Sequence, residues 1–257
     1  MRSLLFVLPL LAGLLLFPDT ATATPPKTIV QTNQGSSVGA TFTASLARSP
    51  KAGNSIVIVT GLDNASTVGV LEPDDVANVI DASESVAAWQ VPGAPYAIVW
   101  VAKADPAVRT WGFHGVAQPH TWLVAEVAGL QTFQPSGVPI WDGPASHSSV
   151  EVGTGGTTQG TGTGSPTAVP REVMIASFVA RVPSGSPPTV TGFTNSWPQE
   201  GTWSRLGTSV ATAGGGANHR LDVAFKVVTT SGSYACDATY TAAPSGMAAL
   251  LTGLYAV

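Results

Sequence analysis

The stretch Thr121–Leu130, T-W-L-V-A-E-V-A-G-L, is apolar on both alternating faces. Trp122, Val124 and Ala128 fall on one side, and Leu123, Ala125 and Val127 on the other. Successive side chains of a strand point to opposite faces. A run that is apolar on both, and closed by Gly129, therefore predicts a strand covered on both sides in the middle of a sheet. Glu126 alone breaks the pattern, on the Trp122 side. Ser55–Leu62 and Arg171–Arg181 are apolar runs of the same two-faced kind.

Around these stand strands with one apolar face. In Val38–Leu46 the residues Val38, Ala40, Phe42, Ala44 and Leu46 alternate with Gly39, Thr41, Thr43 and Ser45. In the stretch 221–227, Leu221, Val223, Phe225 and Val227 alternate against Asp222, Ala224 and Lys226. Such alternation predicts half-buried antiparallel strands. Thr28–Thr32, Thr67–Leu71, Val76–Ile80, Val86–Val91, Tyr96–Ala104, Val108–His114 and Met247–Val257 are further strand candidates. Gly35-Ser36-Ser37, Pro50–Asn54 and Pro92–Pro95 read as turns, and Thr229–Ser233 as the turn of a hairpin into Tyr234–Thr241. Trp89, Trp100, Trp111 and Trp122 stand eleven residues apart, an interval that suits strands and turns repeating in a sandwich. Outside the N-terminal leader no window carries an i, i+3, i+4, i+7 stripe of good helix formers. The expected fold is all-β: an antiparallel two-sheet β-sandwich, jelly-roll-like.

Export and composition narrow the setting. After Met1-Arg2-Ser3 no polar side chain occurs from Leu4 to Phe17, and Ala21-Thr22-Ala23 offers a small-x-small cleavage site. Residues 1–23 read as a secretory signal peptide, too short for a membrane span, and 24–257 as one domain. The mature protein is expected outside the cell with no stable membrane insertion. Only 10% of residues are charged, the net charge is −4, and no Lys/Arg stripe is present, which excludes a nucleic-acid footprint. Cys236 is the single cysteine, so no internal disulfide forms and stability rests on the core. Its alternation with Tyr234, Ala238 and Tyr240 predicts a buried thiol. The tract Gly153–Ser165, rich in Gly and Thr, lacks the G-x-x-x-x-G-K-[ST] spacing of a phosphate loop and reads as a loop within the domain.

The order of several segments carries a family resemblance. A-G-N-S-I-V-I-V-T-G-L-D-N-A-S at 52–66 is followed by V-W-V-A-K-A at 99–104, W-L-V-A-E-V-A-G-L at 122–130 and a Gly/Thr-rich tract. R-E-V-M-I-A-S-F at 171–178 and A-F-K-V-V at 224–228 complete the series. This resembles β-sandwich modules of secreted actinobacterial and phage-tail proteins, whose fold is similar to the concanavalin A-like lectin and glucanase jelly roll. The resemblance implies a fold and an extracellular or virion setting. The family's D-x-x-G-N-x-W/Y segment is not matched at Glu72–Asn78, so no ligand role transfers there.

The chemistry is sparse. Gly35-Ser36-Ser37-Val38-Gly39 fits G-x-S-x-G, but a nucleophile elbow needs a helix after the serine and a strand follows here. His114, His120, His147 and His219 lack zinc-ligand spacing. Asp63, Glu72, Asp74, Asp75, Asp81 and Glu84 form an acidic cluster, a calcium candidate near Asp63, Asp74 and Asp75, though without EF-hand spacing. Glu126 is a candidate glycosidase acid, which needs a second carboxylate about 5–10 Å away. Positions 124 and 128 are Val and Ala, so the strand supplies none. Otherwise Glu126 meets Arg109, Lys103 or a solvated groove. Trp141, Trp197 and Trp203 sit in loop-like contexts and are candidates for stacking on sugar rings. The sequence therefore points to a secreted, non-enzymatic sandwich that binds a glycan or cell-surface polymer, or builds a surface or phage particle. The alternative is a glycoside hydrolase on a concanavalin-like fold.

Overall fold

The computed structural model describes residues 28–63, 71–75, 78–84, 94–130, 147–152, 156–162, 172–208, 210–212 and 218–255. Residues 1–23, read from the sequence as a signal peptide, the strand candidate Val86–Val91 with Trp89, Trp141 and much of the Gly/Thr tract lie outside them. The described residues form strands and no helix.

The front sheet is ordered β1-β6-β2-β5-β4 and draws on β1 (Thr28–Ser45), β2 (Ser55–Leu62), β4 (Val79–Glu84), β5 (Tyr96–Lys103) and β6 (Thr110–Ala128), with β3 (Glu72–Pro73) paired to β6. The middle sheet is β11-β13-β9-β15-β7, with β7 (His147–Val152), β9 (Glu172–Val182), β11 (Ser204–Arg205), β13 (Asn218–Val227) and β15 (Gly246–Tyr255); β12 (Val210–Ala211) pairs β13. A small third sheet, β10-β14-β8, joins β10 (Val190–Asn195), β14 (Cys236–Tyr240) and β8 (Thr158–Gly160). Every pairing is antiparallel.

The three two-faced runs lie in the two large sheets. β2 is buried along its whole length and the 120–127 part of β6 likewise, while β9 is buried from Glu172 to Ala180. Between the front and middle sheets lie Val57, Val59, Val99, Val101, Leu123, Ile175, Val223 and Leu250. On the far side of the middle sheet Met174, Phe178, Tyr234, Cys236, Met247 and Leu251 pack under the small sheet. The sandwich expected from the sequence is present, with a third layer added to it. The strand order does not establish a jelly-roll weave, because the front sheet uses residues before 131 and the other two use residues after 146.

Local departures have identifiable causes. Gly35-Ser36-Ser37 is strand rather than turn: Gly35 stands opposite Trp122 in the β1–β6 register, and a Cβ there would lie 2.5 Å from the indole. Glycine here serves close approach, not chain reversal. Val108–His114 and the Trp122 run are a single strand through Pro119, which stands opposite Val38. The chain bends instead near Gly39, at φ +147°. Asn33 Nδ2 donates to Ser45 O at 2.9 Å although twelve residues of straight strand would separate them by about 40 Å. The far half of the β1–β6 ribbon thus folds over the front sheet, where Phe113 meets Trp100 at 5.5 Å between ring centroids. Trp100, Trp111 and Trp122 share that outer core with Phe42, Ile58 and Tyr96. Finally, β13 and β14 do not form a hairpin. β14 pairs instead with β10 and β8, and its Cys236, Ala238 and Tyr240, with Tyr234 just before it, pack against Met174 and Phe178.

Candidate functional site

Glu126 lies on the outer face of the front sheet, between Gln31 of β1 and Ile56 of β2. It is 1% exposed. One carboxylate oxygen accepts from the Lys51 backbone N–H at 2.8 Å and from Asn54 Nδ2 at 2.5 Å. The other accepts from Gln31 Nε2 at 2.7 Å, and Gln31 in turn touches the Arg48 backbone. Burial pushes the Glu126 carboxyl up, but these donors and the Arg48 charge outweigh it and hold it below the usual carboxylate range. A carboxylate so held is a fastener for the 48–54 turn. A glycosidase acid needs the opposite shift and an open approach for the leaving-group oxygen. The partners expected from sequence, Arg109 and Lys103, are not those that meet it.

The aromatic candidates separate. Trp203 is a core residue, 7% exposed, whose indole N–H donates to Ala235 O at 3.1 Å. It has no free face for a sugar ring. Trp197 is half-buried on the loop after β10. Trp141 lies outside the described residues. Trp197 and Trp203 flank the small sheet, whereas Glu126 stands on the outer face of the front sheet, so the structure does not bring these candidates together.

Of the acidic candidates, Glu72 and Asp74 share His114 as partner, and Asp63 and Asp75 have partners of their own. Asp63 pairs with Arg181 Nε at 2.8 Å; burial pushes its carboxyl up and Arg181 only partly pulls it back. Asp74 meets His114 Nδ1 at 2.7 Å, and Asp75 accepts from Asn78 Nδ2 at 2.8 Å. Among the described residues no three His, Cys, Asp or Glu side chains converge as a metal set.

Three arrangements escaped the sequence. The first is a polar bridge across the main sandwich: His219 Nε2 of β13 lies 3.0 Å from Thr121 Oγ1 of β6 and 3.0 Å from Gly61 O of β2. Gly61 permits this approach, since a Cβ would stand 2.6 Å from Thr121 Oγ1. His120 is also buried and lies against Phe42, with ring centroids 4.9 Å apart. Burial lowers His120 to about 4 and His219 to about 3, so both rings are neutral at neutral pH. The second is an open cleft of about 370 Å³ lined by Asp75, Asn78, Lys103, Asp105, Val108 and Trp111. Three separate segments build it, with Ala52 the contribution of the third, and no local pattern announces it. The third is the Glu200 clamp: its two oxygens accept from the backbone and hydroxyl groups of Thr229 and Thr230. Burial, the largest single influence, raises this carboxyl, and the four hydrogen bonds together override it and hold it down to about 2.

Glu126, His219 and Glu200 are engaged with the protein itself: they hold turns and bridge sheets. No family model matches the chain, and neither a curated protein nor a solved structure matches it.

Proposed function

We propose that residues 24–257 work as an exported, non-enzymatic β-sandwich, a structural element of a cell surface or particle. The observation that supports this reading is the closure of Glu126. The one carboxylate that the sequence offered for catalysis is buried, ionised and used up by Gln31, Lys51 and Asn54. The resemblance to secreted and phage-tail sandwich modules supports the same setting. A second reading, binding of a glycan or cell-surface polymer, draws support from Trp197, whose ring is half-buried on a loop.

One experiment separates the readings. The mature protein and its Trp197→Ala variant are passed over a glycan panel and incubated with bacterial and plant polysaccharides. The structural reading expects neither retention nor sugar release. Retention lost in the Trp197→Ala variant would establish the binding reading. Release of sugars by the wild type would place the chain among hydrolases and overturn both.

A further inference from the structure

Lys226 is the least expected buried residue of the molecule. It lies on β13 opposite Met174 of β9, on the face that the small sheet covers, and is 2% exposed. Its Nζ stands 4.8 Å from the centre of the Trp203 ring and 5.6 Å from that of Tyr234. Nζ meets Asn195 Oδ1 at 2.5 Å and Gln199 Oε1 at 3.4 Å. The Asn195 amide is held from both ends, for its Nδ2 donates to Gly201 O at 3.0 Å. A buried carboxyl, Glu172, shares this face, two residues before Met174 on β9.

A lysine amine is a nucleophile once it is neutral, and a desolvated, aromatic-walled site favours the neutral form. Burial lowers Lys226 from its ordinary value, against the raising fields of Cys236 and Glu200. The neighbouring electrophile is a carboxamide whose oxygen points at the amine. Holding two reactive groups in contact, the amine buried and the Asn195 amide half-buried, turns an otherwise negligible amidation into an intramolecular step.

We propose that Lys226 and Asn195 join in an intramolecular isopeptide bond that fastens the small sheet to the middle sheet. This goes beyond the functional reading above and does not depend on it. The Lys226 ammonium first gives up one proton, and the amine attacks Asn195 Cγ, forming the Nζ–Cγ bond. A proton passes from Nζ to Nδ2, with Glu172 as the carboxyl on that face that relays it. The Cγ–Nδ2 bond breaks, and ammonia leaves and takes up the proton first released. One amide replaces another, no oxidant is required, and the protein becomes lighter by one ammonia. The ring contacts with Trp203 and Tyr234 then surround a neutral amide rather than an ammonium.

The test is a tryptic map of the native full chain. Tryptic sites at Arg181, Arg205, Arg220 and Lys226 bracket the two residues. The bond predicts a branched peptide that joins residues 182–205 to residues 221–257, uncut at Lys226 and lighter than its parts by about 17 Da, one ammonia, beyond the water lost in leaving 226–227 uncut. Complete recovery of linear 182–205 and 221–226, with Asn195 and Lys226 unmodified, would overturn the proposal. The wild-type map decides without any variant. As a second arm, Glu172→Gln, with folding checked by far-UV circular dichroism, is expected to lose the branched peptide; its persistence there would overturn the relay.

Discussion

Replacing Glu126 by Gln would set an amide N–H₂ among three donors that now face a carboxylate. Hydrogen bonds to a buried charge are worth more than neutral ones, so Glu126→Gln is expected to cost about 1.5–3 kcal/mol. Urea unfolding of the two proteins checks this; an unchanged midpoint would refute the fastening role. The same carboxyl contributes to acid sensitivity. Its folded pKa is depressed, so its stabilisation is present above the ordinary carboxylate value and disappears as pH falls through the lowered one. His120 and His219 act in the same direction. Their folded values of about 4 and about 3 lie below the ordinary 6.5, so the fold binds fewer protons than the unfolded chain across that interval. Their contribution is fully present above pH 6.5 and declines as pH falls toward 3. Thermal melts at pH 7 and pH 4 should show the loss, and His219→Gln should reduce it. Cys236, whose pKa burial pushes far up, is expected to react with thiol reagents slowly in the native state and rapidly in urea. Glu126 was legible as an anomaly, because a lone carboxylate in an apolar strand demands partners. Its partners were not legible, since Gln31, Lys51 and Asn54 lie 95, 75 and 72 residues away.

At the scale of the strand, periodicity located most elements and misjudged their ends. Gly35 and the Ser pair after it carry turn chemistry, yet the indole of Trp122 claims the space a side chain would need. Gly35→Ala is expected to cost about 1–3 kcal/mol, the usual range for overpacking, and to disturb the near-ultraviolet tryptophan signal. A neutral result would mean that the indole moves aside freely. The 221–227 strand shows a second limit. Its Asp222, Ala224 and Lys226 face has the composition of a solvated side, and alternation alone reads it so. The small sheet covers it. Asp222 is bonded by Arg205, whose other guanidinium nitrogen donates to Val190 O at 2.7 Å, and Lys226 turns to Asn195. Burial of a polar face depends on a third layer, and strand periodicity carries no count of layers.

For the whole molecule, the all-β class followed from three two-faced runs and the missing helical stripes, and the described residues contain the three runs as strands and no helix. No disulfide is available to fasten the layers, as there is one cysteine. A Lys226–Asn195 bond would close a loop between residues 31 apart, worth about 3–4 kcal/mol on a chain-entropy basis. Lys226→Met, which keeps the apolar stem, is therefore expected to lower the urea midpoint markedly; equal midpoints would show that the layers hold without it.

The division of the chain between its sheets also bears on synthesis. Every pairing of the front sheet lies within residues 28–128, and β6, its hub, is made last. During vectorial emergence that sheet can close while β9, β13 and β15 are still unmade. Its inner face of Val57, Val59, Val99, Val101 and Leu123 then stays wet until they arrive. Until then this surface is open to neighbouring chains, so association at that stage competes with completion of the sandwich.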